Sequence, residues 1–185
     1  MDVVEMIESL KWLARTGWMQ RGVSPAIAES VSQHSFEAAI IALDLAYRLR
    51  DQGVDVDPLK ASTLALIHDI AESVVGDIPK WSSSRMSGLK EKLESTAVNE
   101  IEIHPGIKGL FEEYNSEISL EASIARLSDY ISTCIQAGRY ILMGYKVEDI
   151  LLSMKKTAEN KVSSCCPQLS SYVKNFCSNV TGKIG

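Results

Sequence analysis

The 185-residue chain lacks a run of about 18 apolar residues, which excludes a simple membrane-spanning helix. Its opening, Met1-Asp2-Val3-Val4-Glu5, lacks the basic start of a secretory signal, so the protein is expected in the cytosol. Strand signals are missing as well, because apolar residues recur every three or four positions instead of alternating. Basic charge is scarce: 19 Lys and Arg against 24 Asp and Glu give a net charge of -5, which argues against a broad nucleic-acid surface. A small anion is still an admissible ligand, since a metal and one or two basic residues make a local positive site on an acidic protein. CxxC spacing is absent too. Cys134, Cys165, Cys166 and Cys177 are therefore expected as partly buried thiols in a reducing compartment.

What is present is helical periodicity over one domain, residues 1–185, long enough to bury roughly two thirds of its unfolded surface. The pattern predicts helices over Val3–Ala14, from a Ser32 cap to Gly53, and from Asp57-Pro58 to Gly76. Further helices are expected over Leu89–Ile103, closed by Pro105-Gly106, over Ile107–Tyr114, and from a Ser119 cap to Met143. Two weaker segments, Val147–Val162 and Pro167–Val180, lie beyond a motif-bearing core of residues 8–145 and either cover that core or build a dimer interface. The stretch Arg15–Ser30, with Gly17, Gly22 and Pro25, reads as a loop with one short turn. Ser82-Ser83-Ser84 reads as a loop that is either a substrate flap or plain surface.

Chemistry concentrates on His34, His68, Asp69, Glu72 and Asp129. On a continuous helix His68, Asp69 and Glu72 fall within about 100° of one another, inside the apolar segment Leu64-Ala65-Leu66-Ile67 and Ile70-Ala71. Some of these groups must be buried, and a buried carboxylate without a partner costs several kcal/mol unless a cation offsets it. His34 lies on the stripe Ala38, Ile41 and Leu45, and Asp129 on a stripe of small residues with Ala122 and Ala125. A lone histidine in such a stripe is usually a satisfied core residue. In this company, His34 joins the others as a divalent-metal ligand set.

In that order on helices, His34, His68-Asp69 and Asp129 resemble the HD-domain metal phosphohydrolases, whose fold is an all-α bundle with the metal between its central helices. Arg15-Thr16-Gly17-Trp18, Glu29-Ser30-Val31-Ser32-Gln33-His34, Leu66-Ile67-His68-Asp69-Ile70-Ala71-Glu72 and Val75-Gly76-Asp77-Ile78-Pro79 extend the resemblance to the HD-domain 5'-deoxynucleotidases. Phe111-Glu112-Glu113-Tyr114 and the spacing from Asp129 to Gln136-Ala137 continue it.

The resemblance implies hydrolysis of deoxynucleoside 5'-monophosphates with one divalent ion, cobalt or manganese, in a homodimer. His34, His68, Asp69 and Asp129 match the ligands, Glu72 the acid that activates water, and Asp77 a second catalytic acid. Arg15 matches the phosphate-binding arginine, and Trp18 an aromatic against the sugar. By residue type alone Arg15 is a solvated charge, Trp18 a packing lid and Asp77 the start of a turn. Ser132 departs from the pattern, standing one turn after Asp129 where members often carry an acid. His104, beside Pro105, is too remote in sequence for a second metal. Another phosphate ester, a nucleoside triphosphate, and a non-catalytic metal-stabilised binding protein are the alternative readings.

Overall fold

The computed structural model describes the backbone of residues 1–182 and the side chains of residues 1–176, so the Cys177 side chain lies outside the described residues. The elements are α1 (Val3–Trp12), α2 (Thr16–Met19), α3 (Val31–Asp51), α4 (Pro58–Ile67), α5 (Glu72–Val75) and α6 (Lys80–Ser83). They continue with α7 (Leu89–Glu100), α8 (Pro105–Ser116), α9 (Leu120–Leu142), α10 (Glu148–Cys165), a 3-10 turn (Pro167–Leu169) and α11 (Ser170–Gly182). Among the described residues extended pairing is confined to two isolated bridges, Asp2 with Glu102 and Ala14 with Ser30. None of the helices described is long and apolar enough to cross a membrane.

Helices α3, α4 and α9 pack on one another as the central bundle, and α10 packs along α9. Their facing positions are largely alanine: Ala38, Ala42 and Ala46 on α3, Ala61 and Ala65 on α4, Ala122, Ala125 and Ala137 on α9, all buried. Small side chains let backbones approach, and Leu45, Leu49, Leu64, Ile124 and Leu127 fill the remaining space. A second core of Leu10, Val31, Ile70, Ala71, Val98 and Phe111 joins α1, α5, α7 and α8 to the bundle. The candidate site lies where the two cores meet, since Val31 and Ile70 of the second core flank His34 and His68 in sequence.

Several ends differ from the sequence expectation. The cap of α3 is Ser30, whose hydroxyl accepts from Gln33 N while Gln33 reaches back to Ser30 N, a reciprocal box; Ser32 lies inside the helix. Pro105 opens α8 at its first turn behind a His104 cap instead of closing the previous helix. The helix begun at Asp57-Pro58 stops at Ile67, and residues 68–71 form tight turns with i to i+3 bonds such as Ile70 N to Ile67 O and Glu72 N to Asp69 O. Lys80–Ser83 form a short exposed helix where a serine loop was expected. The Gly53 and Gly76 turns are as expected, both at positive φ, 83° and 78°.

The cap assignment is testable. Ser30→Ala should lower the unfolding free energy by about 1 kcal/mol, the usual value of a helix N-cap, whereas Ser32→Ala should stay within about 0.5 kcal/mol. Equal effects in denaturant titration would place the cap elsewhere.

Candidate metal centre and active site

Three elements bring the donors together. His34 sits one turn into α3, aligned by the Ser30 box and fully buried. His68 and Asp69 lie in the turn after α4, and Asp129 lies mid-way along α9. His34 Nε2 is 3.0 Å from Asp129 Oδ1, and His68 Nε2 is 2.9 Å from Asp69 Oδ2. The cross distances, His34 to Asp69 and His68 to Asp129, are both 4.0 Å. His34, His68 and Asp129 offer donor atoms that all lie within 4.8 Å of one another. All four expected ligands thus converge, although Asp69 comes from a turn and not from the continuous helix that the sequence implied.

These donors fit a cation. His68 Nδ1 is 2.7 Å from the carbonyl oxygen of Ala65, which only accepts, so Nδ1 carries the hydrogen and a neutral ring turns a bare Nε2 towards Asp69. That nitrogen is buried without a hydrogen-bond partner. Two lone pairs facing each other repel; a positive charge shared between them reverses the sign. A single ion at roughly 2.0–2.2 Å from each donor would set the donors about 3 to 4 Å apart, in the range observed. The electrostatics agree. Burial works against the charged forms of His68, Asp69 and Asp129, yet mutual attraction holds the imidazole above its usual range and both carboxyls below theirs, Asp129 at about 2.

Glu72 opens α5 and is buried, with Oε2 unpartnered. Burial, then repulsion from Asp69 and Asp77, pushes its carboxyl up to about 10. Arg15 precedes α2, and its Nη1 is buried and unpartnered. Burial opposes its charge, but Glu29, Asp69, Asp129 and Asp77 together hold the guanidinium firmly protonated. An unpaired guanidinium nitrogen beside a metal-ligand cluster suits a phosphate oxygen.

Asp77 follows the Gly76 turn and accepts from Thr16 N, while its carbonyl accepts from Thr16 Oγ1 at 3.0 Å, so it fixes the loop that carries Arg15. Trp18 is buried; its Nε1 donates to Glu29 Oε1 at 2.8 Å and its ring meets Tyr140 edge-on at 5.1 Å. His104 caps α8 through Gly106 N at 3.0 Å, a local structural task.

The sequence reading gave no site role to two groups. Lys90 on α7 pairs with buried Glu94 at 2.8 Å and acts electrostatically on Asp69 and Glu72. Their spacing is that of an ordinary exposed helix pair, so sequence gave no hint of burial. Tyr114 packs its ring 5.4 Å from His68 and buries an unpartnered hydroxyl.

The HD domain family model matches residues 7–168. A 5'-deoxynucleotidase HDDC2 of Dictyostelium discoideum is 30% identical over 157 residues, covering 80% of this chain and 81% of that protein. The protein of the same name from Danio rerio is 31% identical, covering 76% of this chain and 68% of its own length. Among solved structures, a conserved hypothetical protein from Pyrococcus furiosus superposes with a TM-score of 0.79 at 31% identity, over 93% of this chain and 97% of that one.

Two outcomes test the electrostatics. Manganese or cobalt should raise the melting temperature of chelator-treated protein, and His68→Ala or Asp129→Ala should abolish that rise; a retained shift would move the ion elsewhere. For Glu72, the folded metal-free protein keeps a proton that the unfolded chain loses above about pH 4.5, so its contribution to stability falls as pH rises towards 10. Without metal, the stability of Glu72→Gln relative to the parent should therefore grow between pH 5 and 8 by on the order of 1 kcal/mol or more. A flat difference would mean that the carboxyl ionises freely.

Proposed function

The chain belongs to the HD domain family, and from that premise we propose that it is a 5'-nucleotidase hydrolysing deoxynucleoside 5'-monophosphates to nucleoside and phosphate. The observation that carries this reading is the convergence of two imidazole nitrogens and two carboxylates beside an unpartnered buried acid and an unpartnered arginine nitrogen. The names of the relatives supply the substrate class.

In this proposal His34, His68, Asp69 and Asp129 hold one divalent ion, cobalt or manganese. Bound there, such an ion lowers the pKa of water from about 15.7 towards 7 and polarises a phosphoryl oxygen. Glu72 holds the attacking water and takes its proton, its carboxylate favoured once the charge of Asp69 is balanced. Arg15 receives phosphate oxygens through its free Nη1, and Asp77 both aims that arginine, through Thr16, and stands as the acid beside the leaving 5'-oxygen. Trp18, backed by Tyr140 and Glu29, forms the wall at the sugar end and sets preference against a 2'-hydroxyl. We further propose that the protein works in the cytosol as a homodimer, for which the exposed Phe36 and Ile40 on α3 offer an apolar face.

With manganese or cobalt present, phosphate should be released from deoxynucleoside 5'-monophosphates faster than from their ribo partners. Equal rates would remove the role given to Trp18; pyrophosphate or triphosphate from a triphosphate substrate would change the reaction class. Glu72→Ala should lose on the order of 100-fold in kcat while keeping the metal-induced rise in melting temperature. A variant as active as the parent would reduce the site to a binding module.

A further inference from the structure

The two candidate histidine ligands are anchored in different ways. His68 Nδ1 is held by the Ala65 carbonyl, a backbone group on its own segment that no substitution alters. His34 Nδ1 instead faces Ser132 Oγ on α9 at 3.2 Å. Ser132 Oγ also lies 3.2 Å from Glu37 Oε2, and Glu37 receives Arg139 through Nη2 at 2.7 Å and Nη1 at 3.2 Å. Arg139 Nη1 further reaches Gln136 Oε1 at 3.0 Å. Exposure rises steadily outward: His34 and Ser132 are fully buried, the Glu37 side chain is 20% exposed and that of Arg139 54%.

The direction of every bond in this chain follows from its outer end. Glu37 paired with Arg139 is a carboxylate that only accepts, so Ser132 donates its single hydroxyl proton to it. Ser132 Oγ is left to accept from His34, which places the ring hydrogen on Nδ1 and a lone pair on Nε2. The opposite tautomer would donate from Nε2 to Asp129 Oδ1, 3.0 Å away, and take both groups out of metal binding. We infer that Ser132, Glu37 and Arg139 form a positioning relay that fixes Nε2 of His34 as a ligating nitrogen and thereby sets metal affinity from the protein surface. The bonds join side chains about a hundred positions apart on α3 and α9, so the relay also holds the two ligand-bearing helices in register.

The inference rests on the metal-site reading but not on the substrate. It is tested by two readouts that need no turnover: manganese affinity by calorimetry, and ring tautomers by 15N-histidine NMR of the chelated full chain, whose three histidines keep the spectrum simple. The His34 signals are assigned with His68→Ala and His104→Ala. In the parent His34 should be the Nδ1–H tautomer. Glu37→Gln, whose amide donates to Ser132, and Ser132→Ala should both populate Nε2–H and weaken manganese binding by roughly 10- to 100-fold. Arg139→Ala should weaken it less, with Arg139→Lys restoring part of the loss. The double variant Glu37→Gln/Ser132→Ala should be no weaker than the worse single one. An unchanged tautomer with affinity within about two-fold in Glu37→Gln, or strictly additive losses, would overturn the relay. If Ser132→Ala does not fold, Glu37→Gln at the more exposed end decides the matter. Should the parent take no manganese, the tautomer arm still reads the relay while the metal-site reading fails.

Discussion

Everything in this molecule is arranged around two ionised carboxylates and two imidazoles gathered where water scarcely reaches. Asp69 and Asp129 are drawn out of solvent by the helices that carry them, and in isolation each would regain a proton there. They keep their charge only by sharing a positive charge with His34 and His68, whose Nε2 atoms lie 2.9 to 3.0 Å away. Such an arrangement is half of an interaction. Its stability depends on a positive charge lying between the pairs, whether protons at low pH or a divalent cation. The alanine-rich faces of α3, α4 and α9 follow from this requirement, since only close helices allow side chains as short as aspartate and histidine to meet.

The same field explains the neighbouring groups. Glu72 is a buried carboxyl, and burial first, then repulsion from Asp69 and Asp77, favours its protonated form in the absence of a cation. Arg15 supplies the opposite sign. Its guanidinium is held by the charges of four carboxylates, and its unpartnered Nη1 leaves a donor for an incoming anion. The site therefore separates its charges: a cation position among the four donors and an anion position beside Arg15. A phosphate ester bridges two such positions more naturally than a neutral ligand does.

Much of this was legible in the sequence, for reasons that also mark the limit. The long helices were readable because α3 and α9 carry unbroken 3.6-residue stripes and have unambiguous punctuation, Gly53 just past the end of α3 and Ser119 at the start of α9. His34, the His68-Asp69 pair and Asp129 were readable because each interrupts an apolar stripe, where a polar side chain needs a reason. The break at residues 68–71 was not readable. Local propensity in Leu64–Val75 favours continuous helix, and it is tertiary convergence of His68 and Asp69 on α3 and α9 that tightens the turn. Ser30 against Ser32 was decidable in principle, because Gln33 three residues after Ser30 completes the box; two competing serines obscured it. Lys90 with Glu94 could not be told from a solvated pair, and neither Ser132 nor Glu37 carries any local sign of the other.

That last blindness is instructive about how a metal site is specified. The ligands occupy positions where sequence patterns break visibly, but the groups that decide which nitrogen of His34 is bare are a serine inside a stripe of small residues and an acid on a helix flank. Neither violates any local rule. A hydroxyl donates only one proton, so the identity of its second partner fixes the direction of the whole chain of bonds, and that partner becomes visible only when α3 and α9 are packed together. His68, by contrast, takes its tautomer from a carbonyl three residues back and would keep it in any sequence that forms this turn. One ligand of the pair is thus set by the backbone and the other by side chains that reach the surface, which makes α3 and α9, rather than the His-Asp turn, the part of the fold through which substitution tunes the centre.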